Sequence, residues 1–164
     1  MRAGSLQLKG GLTKMEDPPK LTEMQWNVSG LLGVVFVVMA LLQVISFSDF
    51  KDWLSGIGID SPAVCAVVII IAELIAGIGF FKLRLSSFFR WVSGGLAILA
   101  VGFWFVENLR LVSDGMAGQL DNSGLFGRYL PQSPGWWTVL EVTILLFWVI
   151  YALTAMKNAP SRTK

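Results

Sequence analysis

Residues Pro62 to Phe81 read PAVCAVVIIIAELIAGIGFF, with a single charge, Glu73. A hydrocarbon core of about 30 Å needs about 20 helical residues at about 1.5 Å each. This stretch is therefore long enough to cross a bilayer as one helix. Three others pass the same test. Val28 to Phe47 (VSGLLGVVFVVMALLQVISF) has no charge. Phe88 to Val106 (FFRWVSGGLAILAVGFWFV) has Arg90 near one end, and Trp136 to Met156 (WWTVLEVTILLFWVIYALTAM) has Glu141 one turn in. The apolar residues show no period of 2, which argues against a membrane β-barrel. The expected fold is an all-α integral membrane protein: a four-transmembrane-helix bundle with spans 28–47, 62–81, 88–106 and 136–156, and polar tails 1–27 and 157–164.

Composition agrees. The 164 residues are 54% hydrophobic and 15% charged, with a mean hydropathy of +0.65. An ordinary soluble domain is about 25% charged. The one cysteine, Cys65, excludes an intrachain disulfide and a four-cysteine metal site. The absence of histidine excludes histidine-ligated haem and histidine acid–base chemistry. A net charge of +2 gives no reason to expect nucleic acid as a partner. No phosphate loop, zinc-protease helix or nucleophile elbow is present. The chain is therefore not expected to be an enzyme, and no cofactor is expected beyond peripheral contacts with lipid, quinone or pigment.

Charge placement orients the bundle. Ten of the thirteen Lys and Arg lie on three segments that four spans put on one side. These are the first tail (Arg2, Lys9, Lys14, Lys20), the second turn with the following helix start (Lys82, Arg84, Arg90), and the last tail (Lys157, Arg162, Lys164). The other side has Lys51, Arg110 and Arg128 against Asp49, Asp52, Asp60, Glu107, Asp114 and Asp121. Basic residues favour the cytoplasmic side. Both termini are expected in the cytoplasm of a bacterial inner membrane, with loops 48–61 and 107–135 outside. The first tail lacks the short apolar run and cleavage site of a signal peptide.

The outer loops differ. In 48–61, polar and apolar residues alternate around Trp53, Leu54 and Ile57, as in a short interfacial helix. Loop 107–135 is Gly-rich and leads through Pro131 and Pro134 into Trp136–Trp137, an aromatic anchor at the interface. Its length marks it as functional or partner-bound.

Three stretches carry a resemblance to a known family: SPAVCAVVIIIAELIAGIGFF (61–81), FKLRLSSFFRWVSGGLAIL (81–99) and SGLFGRYLPQSPGWW (123–137). Together they resemble the DoxX-like membrane proteins, most of all the branch that includes the methylamine-utilisation protein MauE. The likeness runs from about residue 28 to 156. In that branch the loop usually reads C-G-C-F-G-R, and the resemblance would imply thiol–disulfide or electron transfer on the outer face. This chain has Ser123 and Leu125 at the two cysteine positions. A relay needs an attacking and a resolving thiol, so that activity is not carried over.

Two kinds of candidate site remain. Glu73 lies roughly 16 Å along its span, near the bilayer centre. It reads either as a proton or quinone-headgroup site, or as a neutral acid bonded to a neighbouring helix through Ser93 or Trp148. Glu141, Gln43 and Cys65 lie at a shallower, comparable depth and are expected either to cluster under the outer loops or to be solvated by headgroups. The second candidate is a partner-docking loop of Ser123, Gly124, Leu125, Phe126, Gly127, Arg128 and Tyr129, with Trp53, Trp136 and Trp137. Arg and Trp are the residue types most often found as interface hot spots. Two functions follow as alternatives: a non-catalytic accessory subunit of a larger photosynthetic or respiratory membrane complex, or a small quinone- or thiol-linked redox protein using Glu73 with a partner. Small residues Ala72 and Ala76, Gly30 and Gly33, and Gly94 and Gly95 favour close helix packing.

Overall fold

Thr22 starts the first helix by a capping box. Its hydroxyl accepts from the Gln25 backbone N–H, while the Gln25 side chain accepts from the Thr22 N–H. This satisfies two of the orphan donors at a helix start. The computed structural model describes residues 14–117 and 119–159, and from this cap five helices follow in order: α1 Glu23–Ile45, α2 Phe47–Gly56, α3 Pro62–Phe80, α4 Ser87–Ser113 and α5 Trp136–Lys157. Four of them, α1, α3, α4 and α5, are long and apolar enough to cross a membrane. No named strand occurs among the described residues; Glu16 and Leu85 form one isolated bridge. The expected four-span bundle is the architecture found.

α3 is central, packed against α1, α2 and α4, and α5 closes the bundle between α4 and α1. Its outward faces carry rows of exposed aliphatic and aromatic side chains. Leu31, Val34, Val38 and Leu41 lie on α1, Val64, Val67, Val68 and Ile71 on α3, and Ile144, Phe147 and Ile150 on α5. Continuous apolar exposure of this extent suits lipid rather than water.

At the α1–α3 crossing the backbones touch. A Cβ added to Gly33 would stand 2.8 Å from the Gly77 carbonyl oxygen, and one added to Gly77 would stand 2.9 Å from that of Gly33. Gly79 makes room for Ser93 on α4, and Gly94 for Leu153 on α5. Gly30 and Gly95, read above as packing residues, have open space at this position.

The helices depart from the expected spans at two places. α1 begins five residues before Val28, because the cap at Thr22 lies in polar sequence that apolarity alone does not mark. α4 continues seven residues past Val106. Glu107 pairs with Arg110 one turn on at 2.7 Å, Arg110 also donates to the Ile57 carbonyl at 2.7 Å, and Asn108 and Leu111 are buried. At 27 residues it is about 40 Å long, more than a hydrocarbon core requires. The third loop therefore starts near Asp114.

One end of the bundle, the tail end, gathers residues 14–22, the 81–86 turn and the end of α5. The Glu16 N–H donates to the Leu85 carbonyl, Ser87 Oγ donates to Glu16 Oε2 at 2.5 Å, and Arg84 pairs with Asp17 at 3.1 Å. Glu16 and Asp17 of the expected tail thus lie against this turn. Arg2, Lys9, Arg162 and Lys164, used in the charge count, lie outside the described residues. At the opposite loop end, α2 is a helix, as its alternation suggested. It buries Phe50 and Leu54 on the bundle. Phe50 and Trp53 both reach the Trp104 ring, with centroids 6.0 and 5.6 Å away.

Candidate functional site

Because α1 ends at Ile45 while α4 runs on, a step forms at the loop end. α2 and loop residues 119–127 fill it. Two glycines permit the fold. Gly124 (φ +81°) presses against the Trp53 ring, and Gly127 (φ +58°) lies on Ser46 and the Leu42 carbonyl. A side chain would clash at both, and the left-handed backbone disfavours one in any case. Asn122 fastens the turn: its side chain accepts from Gly124 N–H and donates to the Gly127 carbonyl, while its own carbonyl accepts from Trp53 Nε1 at 2.8 Å.

Beneath this plug lies a buried polar network. Glu73 is fully buried on α3. Its Oε1 accepts from Trp104 Nε1 of α4 at 2.8 Å and from Gln43 Nε2 of α1 at 3.3 Å. Gln43 Nε2 also donates to the Leu125 carbonyl of the loop at 3.2 Å. Asn108 Nδ2 donates to the Trp104 carbonyl at 2.9 Å. Four atoms of this region have no hydrogen-bond partner despite burial: Glu73 Oε2, Gln43 Oε1, Asn108 Oδ1 and Ser123 Oγ. Such orphans are uncommon and call for an explanation.

The partners expected for Glu73 are thereby corrected. Ser93 donates instead to the Ala76 carbonyl, and Trp148 to the Val28 carbonyl near the tail end. Ser93 is one turn of α3 too far toward the tail, and Trp148 stands on α5, which packs on α4 and α1. The expected cluster of Glu141, Gln43 and Cys65 does not form. Gln43 turns into the α3 side, Glu141 is half-buried without a hydrogen bond between the exposed Leu140 and Ile144, and Cys65 is half-buried on α3. Trp104 and Asn108 were missed. The signal was a tryptophan and an asparagine on α4, whose N–H donors need acceptors when buried.

The docking loop divides in two. Ser123, Gly124, Leu125 and Gly127 are buried and Phe126 and Trp53 half-buried, so these six face the chain's own bundle and not a free surface. The Gly turns and the Leu125–Gln43 bond hold them there. Arg128, Tyr129, Trp136 and Trp137 are exposed, together with Leu130. Arg128 pairs with Asp49 at 3.3 Å and stacks over Tyr129, 5.3 Å from its centroid. Tyr129 first, then Asp49, holds its guanidinium above the ordinary range, so it stays charged. Its backbone N–H donates to Ser46 Oγ, tying the exposed rim to the start of α2.

The DoxX family model matches residues 30–108. The match runs from the second turn of α1 to Asn108 of α4 and includes Gln43, Glu73 and Trp104, but neither the plug nor α5. No curated protein and no solved structure matches the chain. The matched stretch thus takes in most of α1, α2, α3 and most of α4, in a protein with four helices suited to a membrane.

Proposed function

We propose that the chain is a non-catalytic accessory subunit of a larger membrane complex, on a DoxX scaffold of the MauE kind that has lost its thiol pair. The observation that supports this most is the division of the loop. Its inner half is given over to sealing the bundle, with Ser123 and Leu125 at 1% and 2% exposure. Its outer half presents a cation and aromatic anchors, with Tyr129, Trp136 and Trp137 at 48%, 71% and 65% exposure. A surface of Arg128, Tyr129 and Leu130 suits docking against a protein partner, whereas Trp136 and Trp137 also suit a membrane interface belt. Arg128→Ala and Tyr129→Ala should each weaken assembly by about 2 kcal/mol where the contact is desolvated. Neither side chain is buried, so unfolding should be unchanged. Co-purification in mild detergent tests this: a stoichiometric partner retained by the native chain and lost from both variants supports the reading. A chain that purifies alone and stays functional overturns it.

The orientation belongs to the same reading: tail end in the cytoplasm, loop end outside. Single cysteines in a Cys65→Ser background report on it. A membrane-impermeant maleimide added from outside should label Ser113→Cys and Asp121→Cys, but not Lys20→Cys. The reverse pattern would invert every loop assignment.

The buried network favours a second reading, a quinone- or thiol-linked protein in which Glu73 exchanges a proton with a partner's redox group. Turnover of quinone or thiols by the isolated chain, abolished in Glu73→Gln, would replace the accessory reading with this one.

A further inference from the structure

We infer that Glu73 and Gln43 form a proton-binding site inside the bundle, open toward the loop end and closed toward the tail end. This goes beyond the accessory reading and does not depend on it.

The pattern of hydrogen bonds separates the two oxygens of Glu73. Trp104 Nε1 and Gln43 Nε2 both donate to Oε1, while the equally buried Oε2 has no partner. An ionised carboxylate is acceptor-only on both oxygens and would leave half its charge bare in the bundle. An un-ionised acid is asymmetric: its carbonyl oxygen accepts two bonds and its other oxygen carries a proton to donate. The observed arrangement has that asymmetry. An isolated charge at this depth is also costly.

Gln43 supplies the complement. Its Nε2 serves two acceptors, Glu73 Oε1 and the Leu125 carbonyl, so the amide cannot be turned over without setting oxygen against oxygen. Gln43 Oε1 then lies on the amide already joined to this carboxyl and is itself unpartnered. One proton on Glu73 Oε2, donated to Gln43 Oε1, accounts for two of the four orphan atoms. No further charge takes part. Around the site, Glu107 pairs with Arg110, Asp49 with Arg128 and Lys51 with Asp52, and Arg90 donates to the Leu83 carbonyl at the tail end. Glu141 on α5 makes no hydrogen bond.

The other two orphans give the direction. Asn108 Oδ1 and Ser123 Oγ lie on the loop side of Glu73, one on the α4 overhang and one in the plug. The Ser123 hydroxyl both accepts and donates and so can pass a proton, while Asn108 Oδ1 only accepts and can hold a water, the usual partner of such groups. On the tail side, Phe36 stacks on Phe80 with centroids 6.0 Å apart and planes within 10°. There the Gly33 and Gly77 backbones touch, and the Ser93 hydroxyl is spent on Ala76. Ser29, whose hydroxyl is unpartnered, lies beyond this seal.

Infrared spectroscopy of the full chain in liposomes, with ¹³C-labelled glutamate, tests the site. At neutral pH the difference between the native chain and Glu73→Gln should contain the carbonyl stretch of an un-ionised carboxyl. Gln43→Leu should raise that stretch by removing a donor to Oε1. After transfer to D₂O the band should shift as O–H becomes O–D. In Ser123→Val this exchange should slow by about tenfold, what the loss of one hydrogen-bonding step is worth. It should be unchanged in Phe36→Leu. A carboxylate signal from Glu73 at neutral pH, or a band unmoved in Gln43→Leu, overturns the pairing. Exchange hastened by Phe36→Leu and unaffected by Ser123→Val overturns the direction.

Discussion

Leucine at Gly33 should unfold the bundle more readily by about 3 kcal/mol, the upper end of the cost of overpacking. The contact is of a kind that cannot yield. A Cβ at Gly33 meets the Gly77 carbonyl at 2.8 Å and the Phe81 ring at 3.1 Å, and the Gly77 oxygen belongs to a helix backbone. α1 and α3 must separate, and Phe36 and Phe80, stacked beside the crossing, would part with them. Between membrane helices no hydrophobic effect restores the loss, because lipid is as apolar as the partner helix. Gly30 is the control. It lies three residues earlier on the same helix, with nothing within 4 Å of its added Cβ. Gly30→Leu should be near neutral or slightly stabilising, since glycine is a poor helix former. Gly77→Leu should reproduce the Gly33 defect from the other side. Unfolding by SDS titration in mixed micelles measures all three. Equal midpoints for the Gly33 and Gly30 variants would show that this crossing is not the close contact described.

The contrast between these glycines also shows where sequence reading stops. Length and the scarcity of charge suffice to place four spans, because a helix must satisfy its own backbone in lipid whatever it packs against. The same reasoning places Glu73 at depth. It does not give its partners. One apolar span fixes the spacing of its own side chains but not the rotation and height of its neighbours, so Ser93 and Trp148 were as eligible as Trp104 and Gln43. Height decided the matter. α4 outruns α1 at the loop end through Glu107, Asn108 and Leu111, and the overhang makes a wall against which α2 and the plug can fold. Without that wall, LDNSGLFG (120–127) reads as an exposed polar loop. With it, Ser123 and Leu125 are core residues, and the surface available to a partner begins at Arg128.

Trp104→Ala should be the most damaging truncation at the loop end, costing about 3–5 kcal/mol as a large core aromatic. Trp104 is fully buried and holds three things together. Its ring meets Phe50, Trp53 and Phe103, with centroids 6.0, 5.6 and 5.2 Å away. Its Nε1 donates to Glu73, and its carbonyl receives Asn108. Trp104→Phe separates packing from polarity. It keeps most of the ring contact but removes the shorter of the two donors to Glu73 Oε1, which should cost about 1–3 kcal/mol. The damage should also be local. Trp53 rests on Trp104 and donates to Asn122, so releasing Trp104 frees α2 and residues 119–127 before it disturbs the Phe36–Phe80 stack. Amide hydrogen exchange should therefore quicken in 47–56 and 119–127 in the alanine variant, with the tail half of α1 and α3 still protected. Equal loss of protection at both ends would mean that Trp104 supports the bundle as a whole. Equal destabilisation by phenylalanine and alanine would mean that the bond to Glu73, and not the aromatic cluster, is what Trp104 contributes.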